Sequence, residues 1–145
     1  MGILIVAATA AIFMVLCLLL HYEVLRLLFV YSPRLQKRPR TRMAVVFGTL
    51  ILTHLVEIWI FALGYLLMDR RAGLGVIQGP LTSFWDYVYF SGVVYATIVF
   101  GEFLPVGHIR FYVAMEAFAG LFMITWSAIF LFELMQNFWT EQRRK

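Results

Sequence analysis

Three apolar stretches, residues 3–20, 43–68 and 111–132, constrain the fold of this 145-residue chain more than any other feature. A bilayer crossing needs about 20 mostly apolar residues, so each stretch predicts a transmembrane helix. Hydrophobic residues make up 63% of the chain and charged residues 14%, against about 25% charged in soluble domains. This composition excludes disordered and disulfide-scaffold proteins. The single cysteine, Cys17, allows no intrachain disulfide and no metal site built from cysteine pairs.

A fourth apolar stretch, residues 84–100, is too short and too polar for a comfortable crossing, because it contains Asp86. A re-entrant segment fits it better. The sequence therefore predicts an all-α membrane protein with three transmembrane helices and one re-entrant loop. A hydrophobic hairpin that only packs the three helices together is the plainer alternative for this loop.

The distribution of Lys and Arg predicts the orientation. Basic residues cluster in the 32–42 connection and in the 140–145 tail, while the long 69–110 connection holds only three arginines. The positive-inside rule places the first connection and the tail in the cytoplasm and the N-terminus outside, in a multi-pass protein of the cell membrane. Segment 34–42 either fixes this topology or recognises anionic lipid head groups. The net charge is +4, and the basic residues that produce it lie beside apolar runs. We therefore expect them to face the membrane surface, and we expect no nucleic-acid partner.

The re-entrant segment contains the local signals of a half-membrane helix. Gly79 and Pro80 break the preceding structure, and Ser83 with Asp86 resembles a capping box. A helix over residues 84–95 would be about 18 Å long, roughly half a membrane, with its C-terminal dipole end favouring cations at mid-membrane. We expect an extended stretch over residues 97–102 to follow and to line a pore, since exposed backbone at that depth needs water or protein around it.

The order of residues in this segment resembles the pore loop of the potassium-channel superfamily, in particular small bacterial two-helix pore domains. Tyr-Phe-Ser at 89–91 matches the pore helix of that superfamily, and Gly120 matches the hinge glycine of its inner helix. The matching filter positions, followed by Pro105, are Thr97, Ile98, Val99, Phe100, Gly101 and Glu102. The resemblance covers residues 43–135 and leaves the first helix outside it.

The apolar stretches, the basic clusters and the resemblance together predict a division of the chain. Residues 1–31 form an extra N-terminal helix, 32–42 a basic cytoplasmic loop, 43–139 the pore domain and 140–145 a basic tail. Within the pore domain the resemblance implies an outer helix (43–68), an extracellular loop (69–82), a pore helix (83–96), a filter (97–102) and an inner helix (106–139). It also implies a homotetramer in the lipid bilayer that conducts monovalent cations such as K⁺ and Na⁺, without a cofactor or a small-molecule substrate.

Val99 departs from the superfamily pattern, where a glycine takes a left-handed backbone conformation at this position. A β-branched residue in that conformation is strained by about 1–2 kcal/mol in every subunit. We therefore expect at least one ion site to differ from the potassium-selective arrangement. A non-selective or poorly conducting pore fits Val99 as well as a potassium-selective one. Glu102 would form a ring of four carboxylates at the outer mouth, or is a solvated loop acid.

Ionisable residues inside the spans are expensive and are functional candidates. His54 and Glu57 share one helical face, where we expect a buried pair, a carboxylate bonded to Trp59 or to an arginine of another segment, or a gating or proton-sensing role. The pair alone supplies too few ligands for a metal ion, so no metal beyond the transported cations is expected. Glu116 braces the filter loop or pairs with Arg110.

Two further groups are interpreted by their position in the helices. Gly120, Ile124, Ser127 and Leu131 share one face of the last helix and either line a cavity or pack against another helix. Residues 21–23, which are His, Tyr and Glu, are interpreted as anchors at the cytoplasmic interface.

Two rival functions compete with a channel. A non-conducting membrane scaffold or accessory subunit that keeps the channel architecture is supported by Val99. A small intramembrane enzyme would need His54, Glu57 and Glu116 to converge on one cavity. No Gly-x-Ser-x-Gly, His-Glu-x-x-His or P-loop pattern occurs in the sequence, so we expect no enzyme activity.

Overall fold

The computed structural model describes residues 1–32, 39–69, 73–98 and 101–143. Over these ranges the chain forms the helices α1 (Gly2–Tyr31), α2 (Pro39–Asp69), α3 (Phe84–Tyr95) and α4 (Ile109–Arg143). The helices α1, α2 and α4 are each long and apolar enough to cross a membrane. These three spans and the short fourth helix confirm the predicted fold class.

The second helix begins inside the segment that the sequence assigned to a basic loop. Helix α2 starts at Pro39, four residues before the predicted outer helix, because proline is well suited to a first helical position, where no N–H is needed. Arg40 and Arg42 therefore lie in its first turn, and Arg42 Nη2 donates to the Ser32 hydroxyl over 3.3 Å. The remaining basic residues of this connection, at positions 34, 37 and 38, lie outside the described residues.

Two short strands flank α3, and the sequence analysis missed both. Strand β1 (Val76–Gln78) pairs antiparallel with β2 (Leu104–Val106), with Ile77 opposite Pro105. The fourth helix consequently begins at Ile109 rather than at residue 106. Three-residue strands carry too little alternation of polar and apolar residues to be detected. The ribbon joins the connection before α3 to the connection after it, so the chain enters and leaves this segment at one place.

The re-entrant helix packs between α2 and α4, and α1 packs against the same two long helices. Aromatic rings fill the contact between α2, α3 and α4. Tyr65 lies edge-on to both Phe90 and Tyr112, with ring centroids 4.9 Å apart in each pair. Such edge-to-face pairs add stabilisation beyond the area that they bury. The half-membrane helix is therefore held in a close-packed layer.

A glycine in α4 permits the closest of these helix contacts. A Cβ atom at Gly120 would lie 2.2 Å from the carbonyl oxygen of Tyr95, the last residue of α3. No side chain fits in that space. The absence of a side chain at position 120 thus brings α4 directly against the C-terminal end of the re-entrant helix.

We expect Gly120→Ala to lower the free energy of unfolding by about 1–3 kcal/mol, because α4 and α3 must separate to admit the methyl group. Gly48→Ala in α2 is the matched control, since nothing lies within 4 Å of a Cβ atom there. That control should be neutral or stabilising by up to about 1 kcal/mol. Unfolding in mixed micelles measures both. Equal effects would contradict the close contact.

Candidate functional site

The N-terminal end of α3 is fixed by Asp86, as the sequence predicted. Its carboxylate accepts hydrogen bonds from the backbone N–H groups of Thr82 and Ser83, each over 2.7 Å. Both hydroxyls also donate to it, over 3.1 Å. These bonds favour the ionised form and lower the pKa of the Asp86 carboxyl. The capping box is confirmed, and it defines where the re-entrant helix begins.

The C-terminal end of α3 closes in a Schellman motif, in which two backbone bonds turn the chain out of the helix. The N–H of Thr97 donates to the Val94 carbonyl over 2.9 Å, and the N–H of Ile98 donates to the Val93 carbonyl over 2.8 Å. Thr97 has a φ of 57°, where glycine is usual. Thr97 and Ile98 therefore cap the helix, whereas the sequence predicted an extended stretch from residue 97 onwards.

The other predicted filter residues are only partly described. Val99 and Phe100 lie outside the described residues. Gly101 has a φ of 66° and is exposed together with Glu102, while Ile98 is 48% exposed. The filter assignment of residues 97–102 stays a prediction. The structure adds that the described members, Thr97 included, lie on the surface of the single chain.

Glu116 fixes the middle of α3 from the opposite side. One carboxylate oxygen accepts a hydrogen bond from the Ser91 hydroxyl of α3 over 2.5 Å, and the other accepts one from the Tyr65 hydroxyl of α2. All three side chains are buried. These partners agree with a bracing role for Glu116, directed at the pore helix, whereas Arg110 is exposed.

A second buried carboxylate, Glu57, has direct hydrogen-bond partners on α1, α2 and α3. Glu57 Oε1 lies 2.9 Å from His21 Nδ1, and Oε2 lies 3.1 Å from His54 Nδ1. The Tyr95 hydroxyl donates to Oε2 over 2.5 Å. The Ser127 hydroxyl lies 3.2 Å from His21 Nε2 and 3.1 Å from His54 Nε2. We call these five residues the His–Glu cluster; they join α1, α2, α3 and α4.

His21 is the member that sequence reasoning missed. Its side chain is fully buried, so its interpretation as an interfacial anchor was wrong. A usable signal existed, because His21 falls at helical spacing with the buried residues Cys17, Leu25 and Leu28. The expected pairing of His54 with Glu57 is confirmed, whereas Trp59 does not bond to Glu57 and packs against Trp85 instead, with ring centroids 5.6 Å apart.

The His–Glu cluster contains a set of atoms suited to a metal ion. One ligand atom each from His21, His54 and Glu57 lies within 4.8 Å of the others. The sequence supplied only two of these donors on one helix, and His21 adds the third from α1. Glu116 bonds to Tyr65 and Ser91 rather than to this cluster. The three groups of the rival enzyme hypothesis therefore form two separate hydrogen-bonded clusters.

The four residues predicted to share a face of α4 have different surroundings. Gly120 is buried against Tyr95, and Ser127 is buried in the His–Glu cluster. Leu131 packs beside a smaller apolar cluster that contains Leu25 and Leu134. Ile124 is 41% exposed. Burial of Gly120 and Ser127 fits the helix-packing alternative, and a cavity role stays a prediction for Ile124.

The comparison with protein families gives one match. The sequence model of a family described as "Ion channel" matches residues 43–137, which include α3 and both long helices that pack against it. The match supports the predicted pore domain and leaves α1 outside it. Comparisons with curated proteins and with solved structures give no match.

We expect Tyr65→Phe to lower the free energy of unfolding by about 1–3 kcal/mol, because it leaves one buried oxygen of Glu116 without its donor. Tyr22→Phe removes the same hydroxyl from an exposed side chain of α1 and should change stability by less than about 0.5 kcal/mol. Unfolding in mixed micelles measures both variants. A similar effect in the two would show that this hydroxyl does not support Glu116.

The cap at Asp86 should make the start of α3 sensitive to acid. Its pKa is lower in the folded protein than its ordinary value of 3.8, so its stabilising contribution is complete above that value. The contribution is lost as the pH falls through the lower, folded-state pKa. The protection of the amides of residues 82–86 against hydrogen exchange, measured relative to the intrinsic rate at each pH, should therefore fall at acid pH in the wild type. In Asp86→Asn this pH dependence should disappear, and its persistence would contradict the assignment.

Proposed function

The chain belongs to the ion channel family, and from that membership we propose that it forms a tetrameric pore that conducts monovalent cations passively. It is a membrane protein with three helices able to span the bilayer. One chain supplies one re-entrant loop, and the superfamily that this loop resembles builds its filter from four. Neither a cofactor nor covalent chemistry is part of this proposal, and K⁺ and Na⁺ are the permeant ions.

The geometry of α3 is the observation that carries the proposal. This helix has 12 residues, which corresponds to about 18 Å, and it is held between two membrane-spanning helices at both its ends and its middle. A helix that stops halfway through a bilayer leaves the following backbone at membrane depth. Such backbone is tolerated only against protein or water. A water-filled pathway shared between subunits provides those surroundings.

The exposed face of α3 supports assembly. Trp85 is 64% exposed and Tyr89 46% exposed, one helical turn apart, while Tyr87, Phe90 and Ser91 on the other face are buried. Large aromatic side chains are typical of the centre of protein interfaces. In the proposed homotetramer this face contacts the neighbouring subunit, and the exposed residues Ile98 and Gly101 come near the shared axis.

We assign the roles along the pathway by the order of the residues. Backbone carbonyls of residues 97–101 and the Thr97 hydroxyl would replace the water around a permeating cation, and the dipole at the C-terminal end of α3 favours positive charge. Glu102 is exposed just beyond them. Four copies of this carboxylate would concentrate cations at the outer mouth.

Val99 argues against strict potassium selectivity. A β-branched residue in the left-handed conformation that the superfamily has at this filter position would be strained in each subunit. Thr97 already places one β-branched residue at positive φ two positions earlier, so the turn out of α3 is made there. We therefore propose a cation pore whose preference for K⁺ over Na⁺ is weak and is limited by residue 99.

The orientation follows the distribution of basic residues. We propose that the N-terminus lies outside, that segment 34–42 and the C-terminal tail face the cytoplasm of a cell membrane, and that the basic segment contacts anionic lipid. Helix α1 packs on α2 and α4 and lies at the periphery of the tetramer.

Flux from proteoliposomes under opposed K⁺ and Na⁺ gradients tests the function. We expect the wild type to pass both ions. Val99→Gly should increase the ratio of K⁺ to Na⁺ permeability at least several-fold, since glycine adopts the left-handed conformation without strain. Radiotracer or fluorescent-dye uptake measures each ion separately.

Val30→Gly is the matched control, because it makes the same substitution at an exposed position near the end of α1, away from the pathway. Its permeability ratio should equal that of the wild type. Absence of cation flux from reconstituted protein that is folded and tetrameric by native mass spectrometry would overturn the proposed conduction and favour a scaffold. An unchanged ratio in Val99→Gly would refute the assignment of residue 99 to the filter.

A further inference from the structure

The contacts of the His–Glu cluster form a closed loop. Glu57 contacts His21 and His54 through their Nδ1 atoms, and Ser127 contacts the same two rings through their Nε2 atoms. Tyr95 donates to Glu57 from outside the loop. His21, Glu57 and Ser127 are buried, and the side chain of His54 is 15% exposed. The polar atoms of this loop are therefore largely restricted to partners within it and to the Tyr95 hydroxyl.

The loop lacks one positive charge. It has four contacts, each of which needs one proton. With an ionised carboxylate and two neutral imidazoles, only three protons are present: one on each imidazole and one on the Ser127 hydroxyl. Two lone pairs then face each other at one buried contact, which is costly. One bound cation, either a further proton or a metal ion, would complete the loop.

We propose that His21, His54 and Glu57 bind a divalent transition-metal ion of the zinc class. Two imidazole nitrogens and a carboxylate oxygen are ligands that Zn²⁺ accepts, with a fourth position left for water or the Tyr95 hydroxyl. That hydroxyl lies 2.9 Å from His54 Nδ1. The set combines one ligand from α1 with two from α2, so the ion would join these helices.

The printed contacts place the three ligand groups close together. The nitrogen–oxygen distances are 2.9 Å from His21 Nδ1 to Glu57 Oε1 and 3.1 Å from His54 Nδ1 to Oε2, so the two histidines face different oxygens of the carboxylate. One ligand atom from each residue lies within 4.8 Å of the others. Around a tetrahedral zinc ion with bonds of about 2.0–2.2 Å, neighbouring ligand atoms lie about 3.3 Å apart. The three ligand atoms must therefore move to about that spacing when the ion binds.

Ser127 can support a metal ion bound at the two Nδ1 atoms. When both Nδ1 atoms bind the ion, both Nε2 atoms carry hydrogen, and both donate to the Ser127 oxygen, which has two lone pairs to accept them. The contacts of 3.2 Å and 3.1 Å allow this symmetrical arrangement. Metal-bound histidines characteristically donate their second N–H to an acceptor that fixes the ring. Ser127 occupies that position for two rings at once.

The site would act on the end of the re-entrant helix. Tyr95 contacts both Glu57 and His54, and it precedes Thr97 by two residues. An ion at this point would hold α1, α2 and the C-terminal end of α3 together. This inference goes beyond the proposed conduction, because the site is separate from the exposed residues assigned to the pathway.

Metal binding by the full-length protein, purified in detergent and stripped with a chelator, tests the proposal. After equilibration with ZnCl₂, the wild type should hold one zinc per chain by elemental mass spectrometry. Co²⁺ should give the visible absorption bands of a tetrahedral site. His21→Gln and His54→Gln should lose both signals. His108→Gln is the matched control, since His108 is exposed and lies outside the cluster, and it should bind as the wild type does.

Ser127→Ala keeps all three ligands and tests the supporting contact. We expect it to weaken zinc affinity by about 10–100-fold while the Co²⁺ bands persist. Folded wild type that binds neither ion would overturn the proposal and leave the proton as the cation that completes the loop. Unchanged binding in folded His21→Gln would overturn it as well. If either histidine variant does not fold, an unchanged affinity in Ser127→Ala decides against the site. None of these measurements depends on ion flux.

Discussion

Two buried carboxylates, Glu57 and Glu116, determine how the helices of this protein are arranged. Lipid is as apolar as leucine, so apolar contact alone does little to select one packing of transmembrane helices over another. A buried carboxyl group in that environment needs hydrogen-bond partners for its oxygens, which restricts its neighbours far more strongly. Glu57 takes partners from α1 and α3, and Glu116 takes partners from α2 and α3. Both therefore act on the short helix.

The position of α3 follows from a series of contacts along its length. Asp86 fixes its first turn, Glu116 holds Ser91 in its middle, and Glu57 holds Tyr95 in its last turn. The carbonyl of Tyr95 then meets the backbone of α4 at Gly120. A helix too short to cross the bilayer is not fixed by matching its apolar length to the membrane. These polar and close contacts hold α3 in place instead. They also set where the exposed residues after α3 lie.

Sequence reasoning found what depends on composition and local spacing. Hydropathy located the three spans, and Ser83 with Asp86 located the start of α3. It failed where the partner is distant in the chain, because nothing local to His21 indicates a carboxylate 36 residues away. It also failed at Thr97, where the capping bonds of the helix end hold a left-handed residue at a position that local preference would assign to glycine. His21 belongs to the His–Glu cluster, and Thr97 belongs to the predicted filter.

The first helix is more closely tied to the pore domain than its sequence position suggests. The family match begins at residue 43, so α1 lies outside it, yet His21 of α1 provides one of the contacts of Glu57. Without α1, that side of Glu57 would face lipid, and a carboxylate left without its partner in hydrocarbon is strongly unfavourable. A pore domain that places a glutamate at this point of its outer helix therefore needs a third helix beside it. The extra helix is, on this argument, a structural requirement of Glu57.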